Sequence, residues 1–273
     1  MSFRAAPDLY LCTFVHQVLK GVRMSTRELS ATTAIVTGAG QGFGRAIATA
    51  LSHAGAHVVG VGRDRARLDE VHALLGEAFT PVVGDVADPV VAGQLIDAYR
   101  PATLVLNAGA NPLARPIHQH TWQTFSRNWE VDVAQAFHWT REALLRPLAP
   151  DSVVIAVSSG AAVAGSPLSG GYAGAKAAVR FVSSYAAEES ERGGLGIRFT
   201  AVLPRLTPAT QLGAAAVAAY AARQGVDVAT AVERSGPVLT PEQVGKSIVD
   251  LVTDRALDRP AYLLTAAGLT AAP

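Results

Sequence analysis

An α/β domain on a doubly wound parallel sheet is the fold this sequence predicts, and three observations predict it. Short β-branched apolar runs alternate with longer, small-residue stretches of helical character. A glycine-rich turn joins the first of those runs to the first helix-like stretch. The 273 residues are 49% hydrophobic, enough for one large core in a single domain. About seven strands flanked by helices are expected.

Residues 1–29 stand apart from this alternation. Their segment LYLCTFVHQVL is mildly apolar but contains His16 and Gln17, and no small-residue cleavage site follows it, which argues against a signal peptide. A second start-like sequence begins at Met24. The expectation is an N-terminal extension over residues 1–29, loose, disordered or a start-site artefact, and a folded domain over residues 30–273.

Thr33–Thr37 (TAIVT) reads as a buried strand. It runs into Gly38-Ala39-Gly40-Gln41-Gly42-Phe43-Gly44 and then a helix-like segment, RAIATALSHAG. In a strand–turn–helix unit such glycines let the backbone approach a pyrophosphate, and the helix start offers free N–H groups. The spacing here is G-x-x-x-G-x-G. A second strand, His57–Val61, ends in Gly62-Arg63-Asp64. An acid at that point would bind ribose hydroxyls, and an arginine would hold a 2′-phosphate. Gly62 at the end with Arg63 behind it favours NADP(H) over NAD(H), with Asp64 the competing candidate.

Thr80–Val83 is the third strand, followed by Gly84-Asp85-Val86; Asp88-Pro89 then starts a helix to Tyr99. Thr103–Leu106 is the fourth and ends in Asn107-Ala108-Gly109. Val153–Val157, Ile197–Val202 and Ala261–Thr265 complete the set, and Thr240-Pro241-Glu242 starts a helix to Val252. Ligands in such sheets sit at the carboxyl ends of the strands.

The fifth strand ends in Ser158-Ser159-Gly160, and a helical pattern then carries Tyr172 and Lys176. Four residues apart on a helix, the phenol and the ammonium face the same space. A nearby cation favours a phenolate, so the tyrosine can exchange a proton with an alcohol or carbonyl oxygen. A Tyr–Lys pair at this spacing is usually solvated surface. This chain has only three lysines among 23 Lys+Arg, however, and places one here. Ser159, thirteen residues before Tyr172, stands where its hydroxyl can hold the same oxygen.

A formal charge of +1 argues against nucleic acid or an anionic membrane as partner. The single Cys12 forms no intramolecular disulfide or cysteine-based metal site, which fits a reducing cytoplasm. The seven histidines show no metal-ligand spacing, so no metal is expected. No window of about 18 uninterrupted apolar residues is present, so no membrane-spanning helix is expected.

TGAGQGFG, Asp85-Val86, Asn107-Ala108-Gly109, the Ser159 strand end and Tyr172-x-x-x-Lys176, in this order, resemble the short-chain dehydrogenase/reductase family. The resemblance covers about residues 30–265. It implies a single Rossmann-type domain, a nicotinamide cofactor, and hydride transfer to or from a ketone, aldehyde or secondary alcohol. Tyr172 would be the acid/base, Lys176 would bind the nicotinamide ribose and lower the tyrosine's pKa, and Ser159 would position the substrate oxygen. Cofactor contacts would come from Gly38, Gln41, Gly42, Phe43, Gly44, Arg63, Asp85, Val86, Asn107, Ala108, Gly109, Tyr172, Lys176, Pro204 and Thr207. Homotetramers or homodimers built on the long helices are the implied assembly.

The chain departs from the family pattern at three places. Val131-Asp132 replaces Val-Asn on the fifth helix, which makes Asp132 the candidate fourth catalytic residue in the proton relay. Pro204-Arg205 replaces Pro-Gly, and the threonine that usually follows is left to Thr207 or Thr210. The last strand lacks the common Asp-Gly-Gly ending. Residues 205–239, where the family covers its substrate, are mostly small and apolar, which suits a hydrophobic or mid-sized carbonyl compound or plain core. Trp122, Trp129 and Trp139 fall in the fifth-helix region and read as packing residues. Two function classes follow: an NADP(H)-dependent oxidoreductase, favoured by Ser159, Tyr172 and Lys176, and a weakly catalytic cofactor-binding sensor or scaffold, for which Asp132 and Arg205 leave room.

Overall fold

A computed structural model describes residues 27–273. The expectations for the N-terminal extension, Cys12 and Met24 lie outside the described residues. Strands β1 (Thr33–Thr37), β2 (His57–Gly62), β3 (Phe79–Val83), β4 (Thr103–Leu106), β5 (Val153–Val157), β6 (Arg198–Pro204), β7 (Ala261–Thr265) and β8 (Gly268–Ala271) form one sheet. Its order is β3-β2-β1-β4-β5-β6-β7-β8. All neighbours are parallel except β7 and β8. The strand order reverses at β1, so the connections leaving the carboxyl ends of β1 and β4 run in opposite directions and open a crevice between them.

The helices are α1 (Gly42–His53), α2 (Arg65–Leu75), α3 (Pro89–Tyr99), α4 (Trp122–Asn128), α5 (Ala134–Leu145), α6 (Ala161–Ala164), α7 (Gly170–Arg192), α8 (Gln211–Gln224), α9 (Val228–Arg234) and α10 (Pro241–Thr253). Strand alternation divides the core into two layers. Ala34 and Val36 of β1 pack with Ile47 and Leu51 of α1 and with Val244, Ile248 and Leu251 of α10. Ile35 points the other way, into a layer with Ile96 of α3, Trp139 and Ala143 of α5 and Ala186 of α7. Trp139 is fully buried and donates its indole N–H to the Val86 carbonyl at 2.9 Å.

Two departures from the expected elements have local causes. The eighth strand is a Gly-Leu-Thr-Ala run of low apolar content, so no periodicity announces it. It pairs antiparallel with β7, Leu264 opposite Leu269, and covers an edge that would otherwise be open. The expected long fifth helix runs from Trp122 to Leu145 but carries a widened π-type turn, Trp129–Val133, between α4 and α5. That turn carries Asp132 inward.

α1 and α10 pack closely on one face of the sheet. A Cβ at Gly245 would lie 2.6 Å from the Ala46 carbonyl oxygen and 3.0 Å from the Ala50 Cβ. Alanine ordinarily favours a helix interior over glycine by about 1 kcal/mol. Here overpacking reverses the sign, and Gly245→Ala is expected to destabilise the protein by about 1–3 kcal/mol. Calorimetry reads this as a lower Tm; an unchanged or higher Tm contradicts the close approach.

Candidate active site

A cleft of about 890 Å³ runs across the carboxyl ends of the central strands. That volume lies within the range of ligand-binding sites. Its floor is the turn between β1 and α1. Gly38 has φ +66°, and a Cβ there would sit 2.9 Å from the Ala108 Cα. A Cβ on Gly44 would fall 2.0 Å from the Gly38 carbonyl oxygen, so that turn closes only with glycine. Gly42 differs: at φ +53° its nearest neighbours are Thr210 side-chain carbons at 3.8 and 3.9 Å, and the space above it is open cleft. The N-cap Gln41 makes no side-chain cap hydrogen bond, and no acidic residue occupies the first turn of α1. Open backbone and an uncapped, positive helix end fit the pyrophosphate of a dinucleotide.

The loop after β4 is clamped from three sides. Thr37 Oγ1 accepts the N–H groups of Asn107 (2.8 Å) and Ala108 (3.1 Å), and Asn107 Nδ2 returns a bond to the Thr37 carbonyl at 3.0 Å. Gln135 Nε2 donates to the Ala108 carbonyl, and Asn128 Nδ2 to the Ala110 carbonyl. Beyond β3, Asp85 turns its carboxylate onto the Ala87 N–H at 3.0 Å, while Val86 is held by Trp139.

At the β2 end, Arg63 and Asp64 both line the cleft, but their side chains are differently engaged. Asp64 caps α2 by accepting the Arg67 N–H at 3.2 Å, and its second oxygen lies 3.1 Å from Arg67 Nε. Arg63 is exposed and its guanidinium has no partner among the described residues. Arg67, which also bonds Gln41 Oε1 and lines the cleft, was not anticipated from sequence. Its place three residues after the N-cap Asp64 was the available signal.

β5 and α7 bring Ser159, Tyr172 and Lys176 to the same cleft, as the spacing predicts. Ser158 Oγ donates to the Lys176 carbonyl at 2.7 Å and ties α7 to the end of β5. Ser159 Oγ accepts the Ala161 N–H at 3.2 Å, which leaves its own hydroxyl hydrogen for another acceptor. Lys176 Nζ lies 5.8 Å from the centroid of the Tyr172 ring and donates to the Val157 carbonyl at 3.1 Å.

Asp132 meets that ammonium from the opposite side. Its Oδ2 lies 3.2 Å from Lys176 Nζ in an ion pair, and its Oδ1 accepts the Ala110 N–H at 2.8 Å. The ammonium has three N–H donors, so it can serve the Val157 carbonyl and the Asp132 carboxylate together. Asp132 is 1% exposed and Lys176 5%. Burial disfavours the ammonium, but the Asp132 carboxylate and then Tyr172 outweigh it, so the Lys176 pKa stands above its ordinary value.

Beyond β6, Pro204 and Arg205 line the cleft. The Thr207 hydroxyl is buried and donates to the Leu239 carbonyl at 2.6 Å, and Thr210 caps α8 through the Gly213 N–H at 3.1 Å. Both threonines border the cleft with their hydroxyls already engaged. A second unanticipated group lies opposite. The Ser166 hydroxyl bonds the Tyr220 hydroxyl on α8 and, at 2.6 Å, the Ser169 hydroxyl before α7, and all three line the cleft. Their separation along the chain hid them, since Ser166 and Tyr220 are 54 residues apart. Among the described residues no cluster of metal-ligating side chains occurs, and no helix is long and apolar enough to cross a membrane.

The family model for short chain dehydrogenases matches residues 32–233. An uncharacterized short-chain type dehydrogenase/reductase of Sinorhizobium fredii is 34% identical over 177 residues, 63% of this chain and 68% of that protein. A galactitol 2-dehydrogenase of Rhizobium johnstonii is 31% identical over 241 residues, 82% of this chain and 88% of that protein. Among solved structures, a putative NAD(P) dependent gluconate 5-dehydrogenase from Beutenbergia cavernae, with bound NADP, superposes with a TM-score of 0.71. It is 28% identical and the match covers 84% of this chain and 92% of that one. With its glycine turn, its β5–α7 site and these matches, the chain belongs to the short-chain dehydrogenase/reductase family of oxidoreductases.

Proposed function

We propose that the protein interconverts a ketone or aldehyde and the corresponding alcohol, using NADP(H), through Tyr172, Lys176, Ser159 and Asp132. The observation that carries this reading is the meeting of Tyr172 with a buried, charge-paired Lys176 in a cleft that also contains Ser159. A bound nicotinamide supplies or accepts the hydride. The protein's own share is the proton. Tyr172 Oη delivers it to the carbonyl oxygen in reduction and takes it back in oxidation, and the Ser159 hydroxyl donates to that same oxygen. The Lys176 ammonium offsets the charge left on the tyrosine oxygen, and Asp132 and the Val157 carbonyl hold the ammonium in place. The glycine turn, Asp85-Val86, the clamped Asn107-Ala108-Gly109 loop, Pro204 and Thr207 border the coenzyme's half of the cleft. The single cysteine suits a reducing cytoplasm. The intact Tyr–Lys–Ser group favours catalysis over a sensor or scaffold role.

Tyr172→Phe keeps the ring and removes the exchanging hydroxyl. Turnover of a carbonyl substrate, followed at 340 nm, is expected to fall by about 10²-fold or more, while NADPH binding persists. Turnover within a few-fold of wild type would move the acid/base elsewhere.

The NADP(H) preference rests on Arg63, whose free guanidinium lies at the cleft's β2 end while Asp64 is committed to capping α2. A charge-assisted contact to a 2′-phosphate contributes about 1.5–3 kcal/mol. Arg63→Ala is therefore expected to weaken NADPH binding roughly 10-fold to 100-fold with little effect on NADH. Equal affinities for the two coenzymes in the wild type remove the argument.

The assembly we propose is a homodimer or homotetramer through α5 and α7. Phe137 on α5 and Phe181 and Tyr185 on the adjoining α7 are 51%, 55% and 59% exposed, and the last two rings stack at 6.1 Å. Aromatic surface of this extent on packed helices is characteristic of an interface. Sedimentation is expected to find an oligomer that Phe181→Glu dissociates; a monomeric wild type refutes it.

A further inference from the structure

The cleft's charges are unevenly matched. Among the described residues seven charged ones line it: Arg63, Asp64, Arg67, Asp85, Asp132, Lys176 and Arg205. Arg63, Asp64 and Arg67 belong to the β2 end, and Asp85 is turned onto its own loop. Asp132 and Lys176 neutralise each other in the interior. That leaves Arg205 at the opposite end. Its backbone is fixed, with the N–H donating to the Leu264 carbonyl at 2.8 Å. Its Cα lies 3.8 Å from where a Cβ would stand on Gly160, the residue after Ser159. The guanidinium has neither an ion-pair nor a hydrogen-bond partner among the described residues, and the residue is exposed to the cleft and solvent. Among the described residues no acidic side chain lines the cleft on this side.

Hydroxyl groups line the same cleft. Ser166, Ser169 and Tyr220 form a linked chain across the mouth of the cleft, between the segment entering α7 and the covering helix α8. A hydroxyl can donate and accept, so such a chain can exchange partners with the hydroxyls of a ligand. An unmatched guanidinium in a walled cleft attracts an anion, and its planar fork suits a carboxylate or a phosphate.

We infer that the substrate half of the cleft takes a hydroxylated carbonyl compound bearing a terminal anion, with Arg205 binding the anion and the Ser166–Tyr220 pair meeting its hydroxyls. The inference rests on the oxidoreductase reading above and narrows its substrate class. It narrows the hydrophobic or mid-sized carbonyl compound, or plain core, that the composition of residues 205–239 suits, because Arg205 and Tyr220 line the cleft beside Leu206, Ala209, Leu212 and Ala216.

Matched pairs of ketoses test it. L-Sorbose and 5-keto-D-gluconate share a carbon chain and configuration and differ in a terminal hydroxymethyl or carboxylate. D-Fructose and D-fructose 6-phosphate make the equivalent comparison for phosphate. With NADPH and the full-length protein, kcat/KM is expected to favour the anionic member of at least one pair by roughly 10-fold to 100-fold. The favoured pair identifies the anion. Arg205→Leu should collapse the preference toward unity, mainly through KM, and Arg205→Lys should restore part of it. Reduction of both members at similar rates keeps the oxidoreductase and overturns the anion site. A loss of NADPH affinity in Arg205→Leu matching the loss of turnover would assign the arginine to the coenzyme and also overturns it. If none of these four ketoses is reduced, turnover of this substrate class fails while the family assignment stands. The anion site is then decided by titrating 5-keto-D-gluconate and D-fructose 6-phosphate onto the protein–NADPH complex by calorimetry. Binding of either one that Arg205→Leu abolishes supports the site, and no binding of either overturns it.

Discussion

The site depends on an ammonium kept charged in the interior. A buried cation is costly unless a counter-charge and hydrogen-bond acceptors replace its water. Lys176 receives both: the Asp132 carboxylate at 3.2 Å and the Val157 carbonyl at 3.1 Å. These come from different elements, the widened turn between α4 and α5 and the end of β5, while the lysine itself is on α7. One ion therefore ties three pieces of chain, and an error in any of them would leave a charge unpaired. This also gives a reason for aspartate at position 132. Its Oδ1 takes the Ala110 N–H, as a neutral amide oxygen can, but only a carboxylate supplies the charge that holds the Lys176 pKa up.

The same logic governs the loops over the sheet. Backbone polar groups at strand ends lose their ladder partners and must find others. Thr37 does this for the β4 end with one hydroxyl that accepts from Asn107 and Ala108 and donates to the Val105 carbonyl at 3.2 Å. Gln135 and Asn128 satisfy the Ala108 and Ala110 carbonyls from the helix side. The floor of the cleft is thereby fixed by buried amides and a buried hydroxyl. The exception is the uncapped start of α1, whose N–H groups remain available for a ligand.

What the sequence disclosed followed from local periodicity. Strands such as Thr33–Thr37 and Val153–Val157 are β-branched runs too apolar to be anything but buried, and they appear where expected. Tyr172 and Lys176 needed only the 3.6-residue repeat of one helix to be placed together. What stayed hidden depends on residues far apart in the chain. A widened turn has no residue signature, so nothing in the sequence shows that Trp129–Val133 carries Asp132 inward. The partner of Thr207 is the carbonyl of Leu239, 32 residues on, and that of Tyr220 lies 54 residues back. β8 was missed because a four-residue edge strand gains its stability from pairing with β7 rather than from its own composition.

The cleft is thus built from two materials with different tolerances. The half we propose for the coenzyme is made of backbone: the glycine turn, the clamped β4 loop and the helix start, where an added Cβ at Gly44 would meet a carbonyl oxygen at 2.0 Å. Change there is confined by sterics. The half we propose for the substrate is made of side chains from segments after β5 and β6, which meet across the opening through hydroxyl contacts such as Ser166 to Tyr220. Arg205 can change size or charge without disturbing the sheet, because its backbone alone is tied to a strand, through its N–H on the Leu264 carbonyl. An arginine in place of the family's glycine is tolerable in that setting because its guanidinium reaches solvent and so escapes the desolvation that Lys176 must offset. Its free charge costs the fold little and remains available to a ligand.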